Sequence, residues 1–180
     1  MGKKWRAALT EEHREIITTS TTLATKLAGL ARNIREAIKE VLQSQTEQGV
    51  LTQLLNTFRE TLIHDLDEDA FADLYAQTIT YGLLSARIMN PTGHIANDVI
   101  SIMPVTNPFL KELIETFLEI GGRKTTRPKK SRIDFDELGV NDVVGLLDAA
   151  NMEAVIRDFG DRNPQEDPVI HFYERFLAEY

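Results

Sequence analysis

The sequence predicts an all-α fold: an irregular multi-helix bundle with one helix buried at its centre. Three observations carry that expectation. Apolar residues recur at helical spacing along most of the 180 residues, and no convincing series alternates apolar with polar as strands do. Candidate helices are punctuated by residues that cap and break them, such as Asp67, Asn107-Pro108 and Asp167-Pro168. Finally, "FADLYAQTITYGLLSARI", Phe71–Ile88, has no clean polar face; Ala, Gly, Ser and Thr are mixed with Phe, Leu, Tyr and Ile. A helix that is apolar nearly all round must touch neighbours on several sides.

The first helix is expected from Thr10, whose hydroxyl can cap it, with Glu11 and Glu12 favoured by the helix dipole in the first turn. It runs to about Gln45, with Leu23, Leu27, Leu30, Ile34, Ala37, Ile38 and Val41 as its apolar stripe. Its weak spot is "IITTSTT", Ile16–Thr22, where β-branched density suits a strand better. Gly49 ends or interrupts this helix. A second helix follows, with Leu51, Leu54, Leu55, Phe58 and Leu62 on one face. "HDLDED", His64–Asp69, is a polar break in which Asp67 can cap the central helix.

In the central helix, Ala72, Ala76, Gly82, Ser85 and Ala86 allow close backbone approach, while Phe71, Leu74, Ile79 and Leu83 fill space. Gly82 costs up to ~1 kcal/mol relative to Ala in a helix interior, which tight packing would offset. Gln77, Tyr81 and Arg87 need partners if they are buried. "NPTG", Asn90–Gly93, ends the helix. Further helices are expected over about Ile95–Met103 and from Asn107 to Gly121, then a loop over Arg123–Arg132. Shorter helices follow near Val140–Ala150, Asn151–Asp158 and Pro168–Tyr180. The chain reads as a single domain, residues 1–180. It has a long helical N-terminal part (about 10–120), a basic loop (123–132) and a short-helix C-terminal part (133–180).

Composition narrows the chemistry. With no cysteine there is neither a disulfide framework nor a thiolate metal site, which agrees with a reducing, cytoplasmic setting. A formal net charge of -8 argues against a domain that binds DNA over its whole surface, though not against a local basic patch. The longest uncharged apolar run, within Leu74–Ala86, is shorter than the roughly 20 residues of a membrane span. The N-terminus lacks the apolar core of a secretory signal. His13, His64, His94 and His171 show no metal-ligand spacing, so no metal is expected. There is no phosphate-binding Walker loop, no nucleophile elbow and no dinucleotide glycine fingerprint. The acids of "DLDEDAFAD" (Asp65, Asp67, Glu68, Asp69 and Asp73) could converge on a site, but acids at a helix N-terminus are expected anyway.

One segment inverts the charge of the chain. "RKTTRPKKSR" gathers Arg123, Lys124, Arg127, Lys129, Lys130 and Arg132 without a single acid. Such a loop suits phosphate contacts that hold a nucleic-acid backbone rather than read bases; a solvated, charged loop is the alternative. At the other end, "DPVIHFYERFLAEY" carries an aromatic stripe to the last residue. That suggests either a helix docked on the core or a face for another module of a larger parent.

Four motifs, in order, give the chain a resemblance. "FADLYAQTITYGLLSARI" resembles the FA-x-x-YAQT-x-x-YGL-x-x-AR segment of large bacterial restriction-modification proteins that carry an adenine-specific DNA methyltransferase. "PVTNPFLKELIETF" is similar to their P-x-TNPFL segment, and "IDFDELGVNDVVGLLDAANMEAVIRDFG" to their acidic helical stretch. "DPVIHFYERFLAEY" is similar to their DPV-x-HFYE-x-FL-x-x-Y segment, which precedes the methyltransferase core. The likeness covers most of the chain from about Thr57 onward, and the first fifty residues match only in being helical. The cofactor glycine motif, the Asn-Pro-Pro-Tyr catalytic motif and a nuclease motif are all absent. The resemblance therefore implies a non-catalytic helical connector, with no catalytic residue and no cofactor of its own. The parent would use S-adenosylmethionine, with possible endonuclease activity.

Its expected partners are the methyltransferase module, an upstream nuclease module where the parent carries one, and the backbone of double-stranded DNA, with no membrane. The expected sites are the six basic residues, for DNA phosphate, and Phe172, Tyr173 and Phe176, for docking on the methyltransferase module. The alternative from another class is a self-contained helical interaction or oligomerisation module. An acid-base enzyme built on His64 and Asp65 ranks last.

Overall fold

The computed structural model describes residues 16–44, 46–93, 138–162, 165 and 167–180. They form an all-α fold of six helices: α1 (Ser20–Ser44), α2 (Val50–Thr61), α3 (Glu68–Met89), α4 (Val140–Ala149), α5 (Met152–Arg162) and α6 (Pro168–Glu179). The expected helices near Ile95–Met103 and Asn107–Gly121, and the basic loop, lie outside the described residues.

The helix expected from Thr10 is instead non-helical over residues 16–19 and begins at Ser20. Here the β-branched residues Ile16–Thr19 outweigh the periodicity that follows them, while Ser20–Thr22 join the helix as expected. Their backbone groups find other partners. The Ile17 carbonyl accepts the Asn151 N–H at 3.0 Å, joining this segment to the start of α5. Thr19 does what was expected of Thr10: its hydroxyl accepts the Thr22 N–H at 3.3 Å, and its carbonyl accepts the Leu23 N–H at 3.1 Å. Within α1, Leu23, Leu27, Ile34 and Ile38 are buried as expected. The buried stripe turns toward Ala24, Ala28 and Ala31, while Leu30, Ala37 and Val41 pack at its edge. Small side chains on that face let neighbouring helices approach α1 closely.

On α2 the face is Leu51, Leu54, Leu55 and Phe58, all buried. Leu62 departs from the expectation: it is 52% exposed. It follows the last helical residue, and its backbone (φ -129°, ψ -52°) has left the helix, so it no longer shares the face of Phe58. Asp67 caps α3 as expected, its carboxylate accepting the Ala70 N–H at 2.7 Å. Glu68 and Asp69 follow in the first turn, favourably placed for the helix dipole.

The centre of the molecule is shared by α3 and α1. Helix α3 buries residues around nearly its whole circumference, including Phe71, Tyr75, Ile79, Leu83 and Leu84 along with Ala72, Ala76, Gly82 and Ala86. Helix α1 packs against all five other helices, and α3 against α1, α4, α5 and α6. Phe71 stands edge-on to Phe58 (centroids 6.0 Å apart, planes at 77°), a point of contact between α2 and α3. Gly139, just before α4, holds a left-handed backbone (φ 74°), which glycine adopts without the steric cost of a Cβ.

Candidate functional site

The two groups of expected site residues fare differently. Arg123, Lys124, Arg127, Lys129, Lys130 and Arg132 lie outside the described residues. Phe172 and Phe176 lie within them, and the docking seam assigned to them is turned inward. Phe172 is 2% exposed and Phe176 fully buried, both in this chain's own core. Phe172 packs near Phe159 of α5, with centroids 6.4 Å apart. Tyr173 is half-buried and packs on Tyr81 of α3 at 4.5 Å. The physical reason is the groove formed by α1, α3 and α5, against which α6 packs. The capping turn at Asp167, whose side chain accepts the Ile170 N–H (3.3 Å) and whose carbonyl accepts the His171 N–H (3.2 Å), fixes only where the helix starts. Among the described residues of α6, the large apolar side chains left exposed are Ile170 and Leu177.

What the described residues assemble is a set of polar links between helices distant in sequence. The most buried charged residue among them is Arg87, 5% exposed near the end of α3. Its Nε donates to the Leu147 carbonyl in the last turn of α4 (3.1 Å), and a terminal nitrogen donates to the Asn90 carbonyl (2.8 Å). The backbone groups at a helix C-terminus lack partners within the helix. One guanidinium therefore serves the ends of two helices, a geometry that suits its planar fork. Burial lowers the Arg87 pKa, and the negative charge of Asp148 opposes that shift.

A second link joins three helices. The Tyr180 hydroxyl donates to Asp73 of α3 at 2.7 Å. Arg35 of α1 pairs with the same carboxylate oxygen, its Nε 3.1 Å away but not aligned as a hydrogen bond. Burial raises the Tyr180 pKa, and the hydrogen bond to Asp73 raises it further. Beside it, Lys39 pairs with Asp69 at 2.8 Å. That contact raises the lysine pKa and lowers the aspartate's, but both groups are open to water and the pair is worth little. Arg32 donates to the carbonyls of Glu179 and Tyr180, the final turn of α6. At the opposite end of α1, Asp158 of α5 accepts from both the N–H (2.9 Å) and the hydroxyl (2.8 Å) of Ser20.

Three of the five acids of "DLDEDAFAD" thus have structural tasks. Asp67 caps α3, Asp69 pairs with Lys39, and Asp73 receives Tyr180 and Arg35. The His64 Nδ1 lies 2.8 Å from the Arg59 carbonyl at the end of α2. Among the described residues, no three His, Asp or Glu side chains are grouped to hold a metal. No helix among them is long and apolar enough to cross a membrane. An open cleft of about 480 Å³ is lined by Lys39, Gln43, Arg59, Asp67, Glu68 and Asp69. Its cations are engaged at its walls: Lys39 on Asp69, and Arg59 through Nε on the Leu66 carbonyl at 2.6 Å.

Sequence reasoning missed the Arg35–Asp73–Tyr180 link. Its trace was there to find, as Arg32, Arg35 and Lys39 fall on one helical face, and so do Asp69 and Asp73. No protein family model, curated protein or solved structure matches the chain.

Proposed function

We propose that the chain is a non-catalytic helical connector of a restriction-modification adenine-specific DNA methyltransferase. In that role it holds the methyltransferase module, and any nuclease module upstream, in a fixed relation. The observation that supports the reading is where the resembling motifs meet. Arg87, the last residue of the YGL-x-x-AR element, donates to Leu147 in the acidic stretch. Tyr81 of the same element packs on Tyr173 of the HFYE element. Asp73, within the FA-x-x-YAQT element, receives the terminal Tyr180. Three motifs quoted for the resemblance are thus tied to one another by side chains that belong to them. Those side chains fix helices against helices, as a spacer requires. In this reading the basic segment from Arg123 to Arg132 lies along DNA phosphates, and S-adenosylmethionine belongs to the parent protein rather than to this chain.

Two measurements test the proposal. The first is the reading frame that encodes Tyr180: an adenine methyltransferase core in frame beyond it supports the connector, and a stop codon directly after it overturns it. The second is fluorescence anisotropy of a labelled duplex titrated with the chain at increasing salt. Phosphate contacts predict affinity that falls steeply with salt and is lost in the triple reversal Lys129→Glu, Lys130→Glu, Arg132→Glu. An unchanged affinity in that variant removes the DNA contact from the proposal.

A further inference from the structure

We infer that the last turn of α6 is a latch that opens independently of the rest of the helix. The inference rests on two tiers of attachment. The first tier is apolar and deep: Phe172 and Phe176 are buried in the core. The second tier is mainly polar and shallower, with the Tyr180 ring only partly buried at the edge of the core. It consists of the Tyr180 hydroxyl on Asp73, the Arg35 pairing to the same carboxylate, and Arg32 on the carbonyls of Glu179 and Tyr180. Leu177, Ala178 and Glu179, between the two tiers, are exposed and contribute no buried side chain.

The Arg32 contacts are exposed and the Tyr180–Asp73 bond is part-buried, so water reaches the edge of this tier but not the interior. Polar contacts open to water are individually weak, whereas withdrawing a buried phenylalanine costs several times more. Local opening follows the weakest boundary, and here the boundary lies just after Phe176. In the closed state the Tyr180 ring lies beside that of Phe176, centroids 5.7 Å apart.

This deepens the connector reading and rests on it for its purpose: a latched end makes a stiff join to whatever follows, and a released end makes a swivelling one. The chemistry of the latch also predicts what competes with it. An anion that takes Arg32 and Arg35 from their present partners favours the open state.

Hydrogen exchange on the 180-residue chain, comparing wild type with Tyr180→Phe and Asp73→Asn, tests the latch without reference to any partner. Each variant is expected to exchange the amides of residues 177–180 about five-fold faster, the factor that corresponds to losing roughly one hydrogen bond. Amides of α1 and α3 and those up to Phe176 stay at the wild-type rate, and the double variant adds little to either single one. A third variant, Arg32→Ala, is expected to act in the same turn. Unchanged exchange at 177–180 in all three overturns the latch. An equal rise throughout the six helices overturns its independence. Either result leaves the connector reading where the reading frame and the duplex titration put it.

Discussion

Replacing Arg87 with methionine removes the most deeply buried charge among the described residues while keeping most of the side-chain volume. The substitution abolishes two hydrogen bonds from a charged donor, at 3.1 Å to Leu147 and 2.8 Å to Asn90. Bonds of this kind contribute about 1.5–3 kcal/mol each, or about 3–6 kcal/mol together. Against that stands the cost of keeping a guanidinium 5% exposed, which methionine does not incur. Both carbonyl acceptors remain after the change, however, without the donor that served them. A net loss of about 2–3 kcal/mol follows, because the acceptors are not replaced along with the donor. In a chain of this size each kcal/mol moves the melting temperature by about 2–4 °C, so the expected fall is about 5–10 °C. Thermal unfolding followed by circular dichroism reads the shift, and urea unfolding with an unchanged slope shows that stability alone has moved. Arg87→Lys is the informative control. A single ammonium on a flexible stem lacks the fork that spans two carbonyls, and it should recover only part of the loss. A methionine variant as stable as wild type, or a lysine variant equal to it, refutes the assignment of Arg87 as the tie between α3 and α4.

Three further outcomes follow from the same packing. Phe176→Ala should cost about 3–5 kcal/mol in urea unfolding, because it empties a core position, whereas Leu177→Ala next to it should stay within about 0.5 kcal/mol of wild type; the reverse order would restore the outward seam. Gly139→Ala should cost about 1–2 kcal/mol from the left-handed backbone at that position, with no clash to add, since the nearest atoms to a new Cβ lie 3.9 Å away. Stability should fall as the pH rises past about 10. Burial holds the Tyr75 phenol above its ordinary value of 10.0, and burial together with Asp73 holds Tyr180 above it. Both groups stabilise the fold fully below the unfolded value, and that contribution is lost as the pH climbs through the folded values. Tyr180→Phe should blunt the alkaline loss without abolishing it, as read from melting temperatures across pH 8 to 11.

The sequence by itself determined the helical class, the stripe of α2 through Phe58, the Asp67 and Asp167 caps, and the burial of α3 on nearly all sides. Each of these is a local property: a period of 3.6, a capping side chain, or a composition with no polar face. It also flagged the β-branched run at Ile16–Thr22 but assigned it to the first helix, letting the periodicity beyond it outweigh a propensity that favoured strand. Only the tertiary structure settled that segment, since the partners that replace its helical bonds, Asn151 and Asp158, come from more than 130 residues away. The direction of α6 was decided in the same way. A stripe of Phe172, Tyr173 and Phe176 says that one face is apolar, but the same stripe serves an inward or an outward contact equally well. Which of the two it makes depends on the shape of the groove formed by α1, α3 and α5. The links through Arg87 and Tyr180 belong to that second kind as well. A charge pattern gives the sign of a partner, and only the packing of helices gives its identity.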